Sequence, residues 1–432
     1  MKRLFASLAV LPALVAPSAA LAETIEDALL AAHRNNPNLE EARLAVRSAR
    51  EGRVQARAAY LPSLGISGSY GVQEVESDTI GIFGPATTES ELEPSTATAQ
   101  LTQQLFTGGR RSGQSRLASA NLDGAREGLR AREQDVLLAA VDAYLSVLRD
   151  EEIVRLRREH VQSLTTLLSG TRRRLDVGEV SRTDVAQAQT RLAGAQASLA
   201  RSNAQRDNSR ARYIAIVGQP AETLTPVAAL PQTPHTLDEA LRMAETSHPE
   251  LGRARSSERA ARAQVTIERS ALLPQVSLVG RADENHDLSA SEPRRESSSA
   301  VAQFSMPLFE GGFAWSRTRQ GRINVERAQA RTEAQRRDVI ASVTGAWSSL
   351  QASRDVLDAA NEQVEASAVA VEGAERERGL GLRSTLDVLN AEEEARNALI
   401  ARAQANADAV FAAYALMAAS GALTIETAIV AN

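Results

Sequence analysis

Cysteine is absent from this 432-residue chain, and lysine occurs once, at Lys2. The missing cysteine excludes structural disulfides, thiolate metal sites and a lipid-bearing cysteine at a processed N-terminus. Aromatic residues make up only 3% of the chain, which argues against cores centred on large rings and favours close helix-to-helix packing of small side chains. No apolar run reaches the roughly 20 residues that a spanning helix needs, so any membrane crossing is made with strands. His33, His160, His235, His248 and His286 are scattered without ligand spacing, and neither a metal nor a cofactor is expected. Serine, histidine and aspartate form no nucleophile-elbow or similar arrangement, so an enzyme is not expected either.

What is present begins with Lys2 and Arg3, an apolar run from Leu4 to Val15, and small residues ending Ala20-Leu21-Ala22. This pattern predicts a signal peptide over residues 1–22, cleaved after Ala22. Cleavage leaves acidic residues in excess of basic ones by about seven, a balance that argues against a nucleic-acid partner.

The chain is a tandem duplication. Thr24 to Gly68 aligns without a gap on Thr236 to Gly280, and 16 of those 45 positions are identical. Leu105-Phe106-Thr107-Gly108-Gly109 then matches Leu308-Phe309-Glu310-Gly311-Gly312, and Gly178, Asp184 and Gly218 match Gly381, Asp387 and Gly421. The first copy spans 23–235 and the second 236–432. In each, helical periodicity is broken before Pro37 or Pro249, because proline disfavours helix at the residue before it. Period-two alternation predicts strands at about 62–75 and 96–107, and at about 274–287 and 298–309, joined by loops near 76–95 and 287–298. Long helices are expected over about 112–176 and 181–217, then 312–379 and 384–420, with a linker at 218–235 and a C-terminal tail. Sixty-odd helical residues make a rod of roughly 90 Å. Ser181 or Thr183 is placed to cap the return helix after Gly178.

Four strands with one apolar face leave two open edges, which lipid cannot satisfy, and bacterial barrels run from about 8 strands upward. A symmetric oligomer has to supply the remainder. The fold class expected is mainly α with a transmembrane β part. A periplasmic structural or adhesive coiled-coil protein with short soluble hairpins is the alternative from a different functional class.

Taken together, the Asn35-Asn36-Pro37-Asn38 and Ser247-His248-Pro249-Glu250 starts, both Leu-Phe-x-Gly-Gly junctions and the turns around Gly178 and Gly381 resemble the TolC family of outer-membrane factors. The resemblance covers essentially the whole mature chain. It implies a homotrimer with a 12-stranded barrel in outer-membrane lipid over a helical periplasmic tunnel. That trimer serves as a passive exit duct, working through a periplasmic adaptor with an inner-membrane pump of ABC or RND type in type I protein secretion or multidrug efflux. Residues matching the family's periplasmic gate are Thr183, Asp184, Arg378, Arg383, Asp387 and Asn390. Arg383 is expected to reach Thr183 and Asp184. Arg378 stands where the family can carry a tyrosine, and Asn390 stands where it has a second ring carboxylate beside Asp387. Phe106, Phe309, Phe313 and Trp315, at the strand-to-helix junctions, are candidates for the periplasmic membrane interface.

Overall fold

The computed structural model describes residues 22–82, 84–227, 229–289 and 292–430; the expected signal peptide lies outside them except for Ala22. In the first copy α1 (Ile25–Asn35) and α2 (Pro37–Ala58) precede β1 (Ser63–Tyr70), β2 (Gln73–Gly81), β3 (Gly84–Leu92) and β4 (Ser95–Phe106), and then α3 (Arg110–Asp176) and α4 (Arg182–Val217). The second copy runs α5 (Leu237–Ser247), α6 (Pro249–Ser270), β5 (Gln275–Ser289), β6 (Glu292–Ser305), α7 (Phe313–Gly379) and α8 (Thr385–Ala419), and its tail carries α9 (Ile425–Val430). The break between the paired short helices is local chemistry. Asn36 caps α2 by accepting the Asn38 N–H at 3.0 Å, and His248 caps α6 through Nδ1, which accepts the Glu250 N–H at 3.2 Å. Each cap is followed by proline at the first helical position, where no N–H is needed.

Two expectations for the strands need correction. The stretch near 76–95 is not a loop, since β2 and β3 pair antiparallel in a ribbon of their own. Val75, Ile80 and Thr87 supply β-branched strand formers among the acidic residues, and Gly84 takes φ 111 where the ribbon turns. Nor does a loop separate 287 from 298, because β5 and β6 pair up to Ser289↔Glu292, while β6 stops at Ser305 rather than at 309.

The chain divides into two compact units, and neither follows the repeat boundary. One takes residues up to 35, 139–230 and 357–410; the other takes 36–138, 231–356 and 411 onward. In the first, α1 lies against α4, with Leu29, Tyr144, Tyr213 and Val217 buried. At the end of α4, Gly218 adopts φ 86 over Asn35.

In the second unit the sheet order is β1-β4-β5-β6, antiparallel throughout. Register places Leu64 opposite Leu101, Ile66 opposite Ala99, Leu101 opposite Gly280, Val276 opposite Phe304 and Leu278 opposite Ala302. All the alternating apolar residues therefore share one face. The other face carries Ser67, Thr98, Gln100, Arg281, Asp283 and Ser297. There Asp283 accepts from Thr98 Oγ1 at 2.7 Å and from Arg281 Nε at 2.8 Å. A bulge between Gln104 and Phe106 turns Phe106 onto the apolar face, opposite Val276. Among the described residues, β1 and β6 are the unpaired edges. At the end of α8 this unit repeats the Gly218 arrangement, with Gly421 at φ 74 against the backbone of Ser247 and His248.

Candidate functional site

The two long-helix hairpins end in turns of the same design, both in the first unit. Gly178 (φ 79) and Gly381 (φ 75) take the left-handed conformation, and the next residue's N–H reaches back to the helix it has left: Glu179 to the Arg174 carbonyl at 2.8 Å and Leu382 to the Glu377 carbonyl at 2.9 Å. Each return helix starts with a serine–aspartate capping pair. Asp184 Oδ2 accepts from the Ser181 N–H and Oγ at 2.9 and 2.8 Å, and Asp387 Oδ2 accepts from the Ser384 N–H and Oγ at 3.0 and 2.7 Å. These hydrogen bonds, from the Ser181 backbone foremost and from the Ser384 hydroxyl foremost, hold both carboxyls below their usual range. Both are ionised at neutral pH.

Of the six gate candidates, the fold brings only some together. Arg383 Nε is 2.5 Å from Glu377 of its own hairpin, and Asp184 is engaged with Ser181 of its own turn. Thr183 and Arg378 are exposed, with Arg378 and Asp184 lining one cleft of about 480 Å³ between the hairpins. Asn390 does make a link across hairpins: its Oδ1 accepts from Arg191 on α4 at 3.0 Å, and Arg191 also lies 3.7 Å from Glu393. Reasoning from sequence missed Arg191. Its signal was helical spacing, since Arg191 follows Asp184 by two turns on one face of α4, as Asn390 follows Asp387 by one turn on α8.

Higher on the same helices, His160 Nδ1 and Arg396 Nε are buried without hydrogen-bond partners. Burial first, and the Arg396 charge second, push the His160 imidazole down to about 4, with Glu393 opposing and Arg157 and Arg191 adding to the depression. The unfolded chain takes up this proton near 6.5, so stability is full above that pH and falls as pH drops toward 4. His160→Gln should flatten this part of the profile, which circular-dichroism melts at pH 7.5, 5.5 and 4.5 would measure.

At the strand-to-helix junctions of the second unit, Phe106, Phe309, Phe313 and Trp315 stand exposed together with Leu308. Arg317 lies over the Phe313 ring at 5.6 Å, and Arg111 over the Tyr60 ring at 4.8 Å. In water, exposed apolar surface of this kind is unfavourable by roughly 25 cal/mol per Å², and its concentration at the junctions points to cover by another phase or partner.

An apolar-faced, polar-backed sheet joined to long helical hairpins is the architecture of an outer-membrane channel subunit. The chain belongs to the outer membrane efflux protein family, whose model matches residues 29–219 and 240–422, one match in each copy. It is 32% identical over 409 residues to the outer membrane efflux protein BepC of Brucella suis, covering 94% of this chain and 87% of that one. It is 25% identical to the alkaline protease secretion protein AprF of Pseudomonas aeruginosa, covering 84% and 77%. The Campylobacter jejuni CmeC outer membrane channel shares the fold at a TM-score of 0.80 and 16% identity, over 92% of this chain and 85% of that one. The protein is thus an outer-membrane channel of efflux or secretion type, and the alternative of a soluble adhesive coiled coil is withdrawn.

Proposed function

We propose that three copies close their four-stranded sheets into a 12-stranded barrel, forming a passive exit duct fed by an inner-membrane pump through a periplasmic adaptor. The observation that carries this reading is the sheet with an apolar face, a polar face and unpaired edges at β1 and β6. Each unpaired backbone group would cost several kcal/mol in lipid, so the edges must meet those of other copies. The polar face, with Arg281 and Asp283, then lines the bore, and the aromatics at the junctions sit at the periplasmic interface. Export processing after Ala22 and the two repeats, 23–235 and 236–432, belong to the same reading. So does a gate at the hairpin tips formed by Thr183, Asp184, Arg378, Arg383, Asp387 and Asn390, in which Asp387 gives the trimer a ring of three carboxylates. Relatives named for efflux and for secretion support cargo of either kind.

The test combines assembly with topology. The protein should fractionate with the outer membrane and run as a trimer band on gels that disappears on heating. In intact cells, Thr87→Cys on β3 should react with a membrane-impermeant maleimide, since the ribbon joins the outer ends of β1 and β4. Ser291, in the 287–298 stretch of the second copy, lies outside the described residues. A soluble monomer, or labelling only after the outer membrane is disrupted, would overturn the reading.

A further inference from the structure

Glu23 is held at its amide, its carbonyl and its carboxylate. Its N–H donates to the Thr223 carbonyl at 2.8 Å, and its carbonyl accepts the Thr225 N–H at 2.9 Å, making an isolated parallel bridge with Leu224 beyond the end of α4. The Tyr144 hydroxyl, from α3, lies 2.9 Å from that same Glu23 carbonyl and 2.6 Å from the Thr225 carbonyl, and shares its proton between them. Tyr213 and Gln219 both donate to Glu23 Oε1, at 2.6 and 2.8 Å. Tyr144 and Tyr213 are among the largest fully buried side chains of the chain. A buried tyrosine needs a partner for its hydroxyl, and here both partners lie at one residue and its bridge.

Chain ends ordinarily fray unless something ties them down. Ala22, immediately before, is exposed, so the ordered seat begins at the residue that processing after Ala22 would make the first. The surroundings suit a new positive charge. Glu23, Glu26 and Asp27 are carboxylates, and no basic residue occurs between positions 22 and 32. An ammonium at Glu23 keeps the donor that the Thr223 carbonyl accepts and adds a cation where the local charge is negative.

We propose that Glu23 is a terminal latch, in which the α-amino end created by export processing docks on the segment after α4 and fastens α1 to the α3–α4 pair. The latch rests on the cleavage after Ala22 that the proposed function includes, and it does not depend on the trimeric barrel. Processing then completes this unit of the fold as well as releasing the chain.

The composition supplies a direct probe. With Lys2 removed, the mature chain has no lysine, so the α-amino group is its single primary amine. The purified full-length protein in detergent is treated with an N-hydroxysuccinimide ester, natively and after denaturation, and acylation is followed by mass spectrometry alongside N-terminal sequencing. Glu23 should be the first residue, and native acylation should be slower than denatured by at least about tenfold. Tyr213→Phe with Gln219→Ala should bring the two rates within about twofold and lower the Tm. If that variant does not fold, Gln219→Ala alone, which removes one of the two donors to the Glu23 carboxylate and leaves the α-amino group intact, should speed native acylation severalfold. A different first residue, equal native and denatured rates, or no acceleration in the variants would overturn the latch.

Discussion

In the gated trimer proposed above, Arg191→Ala is expected to favour the open channel. Within the first unit, Arg191 links the first-copy hairpin to the second through Asn390 and Glu393, whereas Arg383 and Asp184 bond within their own hairpins. A partly exposed pair is worth about 0 to 1 kcal/mol. In the trimer proposed above, three symmetric copies would shift the closed-to-open ratio by at most about a hundredfold. That range is small enough for the proposed adaptor to overturn by binding the open form better. Planar-bilayer recordings should give a severalfold larger mean conductance for Arg191→Ala, and cells carrying it should become more sensitive to large antibiotics. Arg383→Ser should have the smaller effect of the two, because its partner Glu377 moves with it. A conductance equal to wild type in a well-folded Arg191→Ala trimer would remove Arg191 from the gate.

Gly421→Ala should destabilise the protein by about 3 kcal/mol or more. At φ 74 the new Cβ strains the backbone, and it would stand 2.8 Å from the His248 nitrogen and from the Ser247 carbonyl carbon, atoms that cannot rotate away. The matching position in the other copy sets an internal comparison. A Cβ at Gly218 would stand 3.1 Å from the Asn35 Cβ, a contact relieved by a shift of a few tenths of an ångström, so Gly218→Ala should cost less. Gly381→Ala meets nothing within 4 Å and should cost only the left-handed strain, about 1 to 2 kcal/mol. Thermal melts of the three variants should rank in that order; equal losses at Gly421 and Gly381 would mean that the close approach to His248 is not maintained in solution.

Features written in a few adjacent residues were legible before any coordinates. The breaks before Pro37 and Pro249, the turns at Gly178 and Gly381 and the serine after each turn are all local chemistry, and the duplication let each copy vouch for the other. The common apolar face of the four strands was legible too, because alternation has only two phases. The β2–β3 ribbon was not, since its glutamates and glycines look like a loop and its strand formers are sparse. Arg191 and the Glu23 seat escaped because their partners lie far along the chain, where a single sequence gives no pairing signal. The division into two units escaped for a related reason: α3, α7 and α8 each contribute to both, and nothing in the pattern of a continuous helix marks where one core stops.

The ribbon also has a consequence for how this protein can change over evolutionary time. Glu74 stands opposite Glu91 and Glu76 opposite Glu89, with no basic residue between Gln73 and Glu93. Like charges facing each other weaken the hairpin slightly, yet they also repel any similar strand that might add to its rim. Because β2 and β3 share no sheet with the wall, insertions and substitutions there leave the wall's register untouched. In the topology proposed above, where the ribbon faces outward, a lineage pressed by agents that recognise the cell surface would change this segment more readily than the wall strands, and a foreign peptide spliced into it would leave their pairing intact.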